Sequence, residues 1–334
     1  MILRSRLSAL VPLMWLLITF PSVSIAESIA EIKQFDSTYS EEASRYEFTL
    51  LSIAGLSNLT IDGFKVSELS GLAWDEDENL LYTLSDNGYL LHLRPVFKNN
   101  KLADVLFLKG YALRDNNNRT LRYKESDSEG LNVKNGNNGI QGDSRLIVCF
   151  ERIPRLIEYK TDGSMIAGIP LPSELADIRN YQGENNSLEA VTINEKFGII
   201  TGPEHPLISQ PARNTLDIYS LDGRHWSFPV HNEHYGALVG MTTMPDGSVL
   251  VLERAYGGIF PATEITLHHI LLGEDRSEIN TIYTFDSNAG LLNENFEGIT
   301  RFRGDTYFMV NDDNNHPFKR TMLVFFSIKK KQVK

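Results

Sequence analysis

The sequence predicts an all-β fold, a β-propeller, on three observations. Short strand-forming runs are set off by turn dipeptides, one unit recurs five times, and the step between units suits four strands. The strand runs lie at residues 46–53, 80–84, 146–150, 197–201, 216–219, 248–252, 306–310 and 322–327, and are rich in β-branched and aromatic residues. Between them stand Asn87-Gly88, Asp162-Gly163, Asp222-Gly223 and Asp246-Gly247, dipeptides that favour tight turns, and helix signals are scarce. A chain of this kind is a sandwich, a barrel or a propeller, and repeats decide among them.

The repeat is a small residue beside an apolar strand, followed by a second strand that ends on an acid. Ser70-Gly71-Leu72 leads to Asp86, Glu129-Gly130-Leu131 to Glu151, and Glu189-Ala190-Val191 to Glu204. Val239-Gly240-Met241 leads to Glu253, and Glu297-Gly298-Ile299 to Asp312. Starts at 70, 129, 189, 239 and 297 give a step of 50 to 60 residues, the length of a four-stranded blade. The sequence left over asks for a sixth blade, closed by pairing of residues 46–53 with residues 322–327. Such closure leaves no exposed strand edges.

Outside the repeat, the N-terminus carries the marks of an export signal. Arg4 and Arg6 precede an apolar run over residues 7–20, and Ser24-Ile25-Ala26 has cleavage-site spacing. The run falls short of the ~20 apolar residues of a comfortable bilayer crossing. The expected organisation is a signal peptide over 1–26, a linker over 27–44, the propeller over 45–328 and a basic tail over 329–334. Localisation is then periplasmic or secreted, with no membrane contact after cleavage. Losing Arg4 and Arg6 takes the net charge from −11 to −13, which argues against nucleic acid, whose phosphates need a basic footprint. Cys149 is the sole cysteine, so no internal disulfide forms; its apolar surroundings read as a buried structural thiol.

The repeat matters chemically because the innermost strand of each blade lines the axis. Glu129, Glu189 and Glu297 are expected to form a partial ring there, completed by Ser70 and Gly240. Asp86, Glu151, Glu204, Glu253 and Asp312 are expected to form a second ring near the mouth. Eight carboxylates in one funnel either take up protons or hold a hard cation. Calcium accepts 6–8 oxygen ligands and suits this donor set, with Asn87, Asn186, Asn295, Asn311 and Asn314 close by. The other reading is that the acids are separate solvated strand caps. For metal ligation the leading positions are Glu129, Glu189, Glu297, Asp86 and Asp312.

Candidate anion-holding groups flank the acids: Arg152 and Arg155 after Glu151, His205 after Glu204, Arg254 after Glu253, and Lys319 with Arg320 after Asp312. Each can equally pair with its neighbouring carboxylate. His231 and His234 read as a loop rather than a metal site, since no helical pattern joins them. A nucleophile elbow, a Walker loop and a dinucleotide fingerprint are all missing, so those chemistries have no support.

Several of these segments resemble a known family. SGLAW at 70–74, LSDN at 84–87, DSEGL at 127–131, SLEA at 187–190, MPDGSVLVLER at 244–254 and NFEGI at 295–299 occur in its order. NDDNN at 311–315, with Arg320-Thr321 after it, is similar to its C-terminal signature. The chain thus resembles, over residues 66–327, the bacterial phytase-like family, described by the "esterase-like activity of phytase". The resemblance implies an exported propeller with ester or phosphoester hydrolase activity on a small molecule. Two departures stand out: Glu189-Ala190 replaces the common Glu-Gly, and the Asn-rich stretch 133–143 reads as a long loop over the funnel. Metal-assisted hydrolysis fits both lines, with cations in the rings and Glu151, Glu204 or Glu253 taking the proton. Arg152, Arg254, His205, Lys319 and Arg320 would hold the substrate. Two other readings stay open: a calcium-dependent lactonase, and a non-enzymatic binding or scaffold propeller.

Overall fold

Turn chemistry cuts the chain into hairpins, and the glycines of those turns show it directly. Gly163 and Gly223 sit at φ of +76° and +93°, a region that favours glycine and closes the hairpin they occupy. The structure is a computed structural model and describes residues 26–210, 214–232, 236–257, 262–274, 277–285 and 294–331. The expected signal peptide, apart from Ala26, lies outside these residues. Among the described residues no helix is long and apolar enough to cross a membrane.

The hairpins assemble into five antiparallel sheets, each a blade. Blade one holds β6 (Leu69–Asp75), β7 (Leu80–Ser85), β8 (Tyr89–Lys98) and β9 (Lys101–Ala112), with β1 (Glu27–Ser28) on its outer edge. Blade two is β10 (Ser128–Lys134), β11 (Arg145–Phe150), β12 (Arg155–Lys160) and β13 (Met165–Ile169). Blade three is β14 (Leu188–Asn194), β15 (Gly198–Pro203), β16 (Thr215–Ser220) and β17 (His225–Pro229). Blade four is β18 (Gly236–Thr243), β19 (Val249–Gly257), β20 (Ala262–Leu271) and β21 (Glu278–Phe285). Blade five runs β22 (Phe296–Arg301), β23 (Thr306–Asn311), β24 (Met322–Lys330), β3 (Tyr46–Leu56) and β2 (Ala30–Tyr39). A two-stranded ribbon of β4 (Thr60–Ile61) and β5 (Phe64–Lys65) links blade five to blade one.

Every run expected as a strand lies on a strand, yet two expectations need correction. Among the described residues there are five blades and not six: β3 and β24, which were to close a sixth, are neighbours inside the fifth sheet. That sheet absorbs the surplus sequence by taking five strands. The stretch 27–44, expected as a linker, carries β1 and β2, which extend blades one and five.

The core sits between blades. Apolar side chains gather in five clusters, one for each pair of adjacent blades, so the ring closes on itself. Between blades four and five, for example, Phe48 stacks on Phe326 at 4.9 Å and meets the edge of Phe285 at 4.8 Å. Strands β6, β10, β14, β18 and β22 each pack against two others of the same set and form the inner wall.

Candidate functional site

All five inner strands carry a β-bulge at the same place. The register against the next strand slips between Leu69 and Gly71, Ser128 and Leu131, Leu188 and Ala190, Leu238 and Gly240, and Phe296 and Gly298. A bulge re-aims the side chain that it frees. The residues freed are Ser70, Glu129, Glu189, Val239 and Glu297. Val239, and not Gly240 as expected, is therefore the fourth member; Gly240 is the small residue that follows it. These small residues let inner strands touch. A Cβ on Gly240 would come within 2.3 Å of the Glu297 carbonyl oxygen, and one on Gly71 within 2.6 Å of the Glu129 carbonyl.

The mouth lies at the end where the inner strands begin. Asp86, Glu151, Glu204 and Asp312 each donate their backbone N–H to the residue just ahead of the inner strand: Glu68 (3.2 Å), Asp127 (3.0 Å), Ser187 (2.8 Å) and Asn295 (2.8 Å). In blade four the matching place belongs to Arg254. Leu238 pairs with Glu253 as Leu69 pairs with Ser85, so Glu253 stands one residue before the ring. Successive strand residues face opposite ways, and that single step removes it. Glu253 is 1% exposed; it accepts from the backbone N–H groups of His231 and Asn232 and bonds His268 Nε2 at 2.8 Å. The expected catalytic position Glu253 is thus a buried anchor inside blade four.

Arg254, 8% exposed, replaces an acid with a guanidinium at the mouth. Its Nη2 donates to Glu204 Oε1 at 2.9 Å, and its Nη1 donates to Asn295 Oδ1 at 2.8 Å and to Glu297 Oε1. Asn186 donates to Glu204 Oε2 at 2.6 Å, and Asn295 to Glu297 at 3.0 Å and Asp312 at 3.3 Å. Asn87 ties Asp86 to Glu68, at 3.0 and 2.8 Å.

Two groups of carboxylates remain. Oxygens of Asp127, Glu129 and Glu151 lie within 4.8 Å of one another, and so do those of Glu151, Glu189 and Glu204. Glu151 is 3% exposed, and its Oε1 has no hydrogen-bond partner among the described residues. Burial first, and then the charges of Asp127 and Glu204, push its carboxyl up to about 8. Burial, Glu68 and Asp312 do the same to Asp86, also to about 8. Glu129 and Glu189 are held well above the ordinary carboxylate range, again by burial first, and then by the charge of Glu297 on Glu129 and of Glu129 on Glu189. Glu297 rises only to about 7, because Arg254 opposes its burial.

The expected metal and catalytic sets therefore mix. Glu129 and Glu189 sit with Glu151 and Glu204, whereas Glu297 turns to Arg254, and Asp86 and Asp312 lie on the side of Glu68. Sequence reasoning missed Glu68 and Asp127 as mouth residues; the signal was their place two residues ahead of each freed side chain. Among the expected anion holders, Arg152 pairs with Asp127 at the rim and His205 Nε2 lies 3.7 Å from Glu204. Lys319 reaches Glu294 at 3.9 Å. Arg320 bonds Glu31 on β2 at 3.0 Å, on the outer edge of blade five and away from the axis. The Asn-rich loop also lies elsewhere: Asn138 and Gly142 donate to Asp77 and Glu78 in the β6–β7 turn, at the rim opposite the mouth. Cys149 is buried as expected and accepts from the Gly130 N–H at 3.0 Å. His231 lies 3.4 Å from Thr284 Oγ1, and His234 is outside the described residues.

The family model described as "Phytase-like: Esterase-like activity of phytase" matches residues 65–315. The chain belongs to the phytase-like family. The phytase-like match runs from the ribbon strand β5 through all five bulges and past Asp312, so it contains every mouth residue named above. No curated protein matches the chain. Solved structures similar to this phytase-like chain include the Cps50 (Swd1) β-propeller domain of Myceliophteria thermophila, at 8% identity and TM-score 0.39, covering 91% of this chain and 100% of that one. XC5397 of Xanthomonas campestris, described as a gluconolactonase, has 10% identity and TM-score 0.39, with 92% and 99% covered. The Pan2 WD40 domain of Neurospora crassa has 10% identity and TM-score 0.31, with 80% and 91% covered. Scores this low say nothing about chemistry.

Proposed function

We propose that this phytase-like propeller is an exported, cation-assisted hydrolase of phosphoric or carboxylic esters. One observation carries the reading: a buried carboxylate oxygen, Glu151 Oε1, stands among other carboxylates without a hydrogen-bond partner among the described residues. The donor set fits calcium or another hard cation, because every group is oxygen and His or Cys takes no part in either triad. When bound, such a cation polarises an ester oxygen and lowers the pKa of water beside it.

The chain's own residues supply the rest. Arg254, held by Glu204, Glu297 and Asn295, presents a fixed positive charge to an anionic group or a developing oxyanion. Asp86, raised to about 8, keeps a proton at neutral pH and can give it to the leaving oxygen. Arg152 at the rim completes the recognition of charge.

Turnover of p-nitrophenyl phosphate, p-nitrophenyl butyrate and a simple lactone, with EDTA and with added calcium, tests this. Activity on at least one ester should vanish in EDTA and return with calcium. Asp86→Asn should lower kcat by roughly 10²–10⁴-fold, the usual worth of a positioned acid. A folded chain inactive on all three in saturating calcium would favour a binding propeller instead.

A further inference from the structure

We infer that the mouth holds two hard cations side by side, sharing Glu151, between blades two and three. The inference rests on the cation reading above but goes beyond it in number and place. Sequence spacing put the cation on the axis, among Glu129, Glu189 and Glu297. The structure commits Glu297 to Arg254 and Asn295, and leaves two triads that meet at one residue. Asp127 and Glu129 come from the start of β10, Glu151 from the end of β11, Glu189 from β14 and Glu204 from the end of β15.

Spacing gives two places, and the charge of the mouth admits both. Oxygens around one calcium lie about 2.3–2.6 Å from it, so any two of its ligands are at most ~5 Å apart. Each triad satisfies that limit, with all its oxygens within 4.8 Å. The two triads hold five carboxylates; Arg254 offsets one at Glu204 and Arg152 one at Asp127. A single divalent ion would leave one negative charge in a desolvated mouth; a second leaves one positive charge, which suits an anionic substrate. Glu151, with both triads around it and an oxygen lacking a hydrogen-bond partner among the described residues, is the group left to bridge them.

Calcium alone is the probe. The full chain, stripped with chelator, is titrated calorimetrically, and bound metal is counted after dialysis by elemental analysis. Two calcium ions per chain are expected. Asp127→Asn and Glu189→Gln should each leave one, and Glu151→Gln should weaken both at least tenfold, with near-ultraviolet circular dichroism confirming the fold. One ion per chain in the unmodified protein overturns the pair while leaving the hydrolase reading intact. None overturns both. The count on the unmodified chain decides the matter even where a variant does not fold.

Discussion

Arg254 and Glu253 are adjacent in sequence and do opposite things. Arg254 faces two acids in a site where it is itself 8% exposed, so its removal leaves Glu204 and Glu297 without their guanidinium. Breaking a buried pair from one side costs about 3–5 kcal/mol. Arg254→Met should lower the urea unfolding free energy by that order in chelator, and by less with calcium present. Glu253→Gln should cost about 1–3 kcal/mol, the penalty of unsatisfied buried donors, while leaving kcat unchanged. A selective fall in kcat would return Glu253 to the mouth. The sequence did not separate the two because β19 runs on to Gly257, past the position where blades one, two, three and five stop. A strand-end acid and a mid-strand acid look alike in a string of letters; only the register tells them apart.

At the scale of the element, the bulge and its small residue act together. The bulge turns one side chain toward the axis, and the small residue after it lets the next inner strand come close. Gly240→Ala would place a methyl 2.3 Å from a backbone oxygen, which has little room to give. Overpacking of this kind costs about 1–3 kcal/mol. Gly168→Ala on β13, with open space around its Cβ, is the matched control and should shift the urea midpoint little. Equal midpoints for the two variants would refute the close-approach account. The small-residue repeat was legible from spacing alone, and so were the turns, since both are local. The strands over 27–44 were not. Strand β2 is the edge of blade five, half exposed along its length, and needs no apolar run to hold its place.

For the whole molecule, the cost of the acidic mouth should be visible in its response to pH. Asp86 and Glu151 are raised to about 8 and Glu297 to about 7 in the folded chain, against an ordinary carboxylate value of ~4. A raised acid contributes stability that is full below its unfolded pKa and lost as pH climbs through the folded one. The chelator-treated protein should therefore melt several degrees lower at pH 8.5 than at pH 5. Calcium at a hundred times its Kd should add roughly 2.7 kcal/mol for each site filled and remove most of that fall. Melting curves with and without EDTA at both pH values check it. An EDTA-insensitive melt would mean that protons, not cations, settle the mouth.

Blade five has a consequence for the order in which the protein takes shape. It is a seam: β3 is sewn to β24, whose residues lie about 270 positions further along the chain, so this junction carries the largest loop-closure cost in the ring. Blades two and three, which supply both carboxylate triads, are complete in sequence long before the seam can be stitched. The funnel around them is not, because β22 and the second half of its own sheet are still to come. A chain still lacking β22 to β24 thus carries its five acids in a funnel open to water on the side of blade five. On the cation reading proposed above, the C-terminal strand is the latch that closes the funnel around the ions.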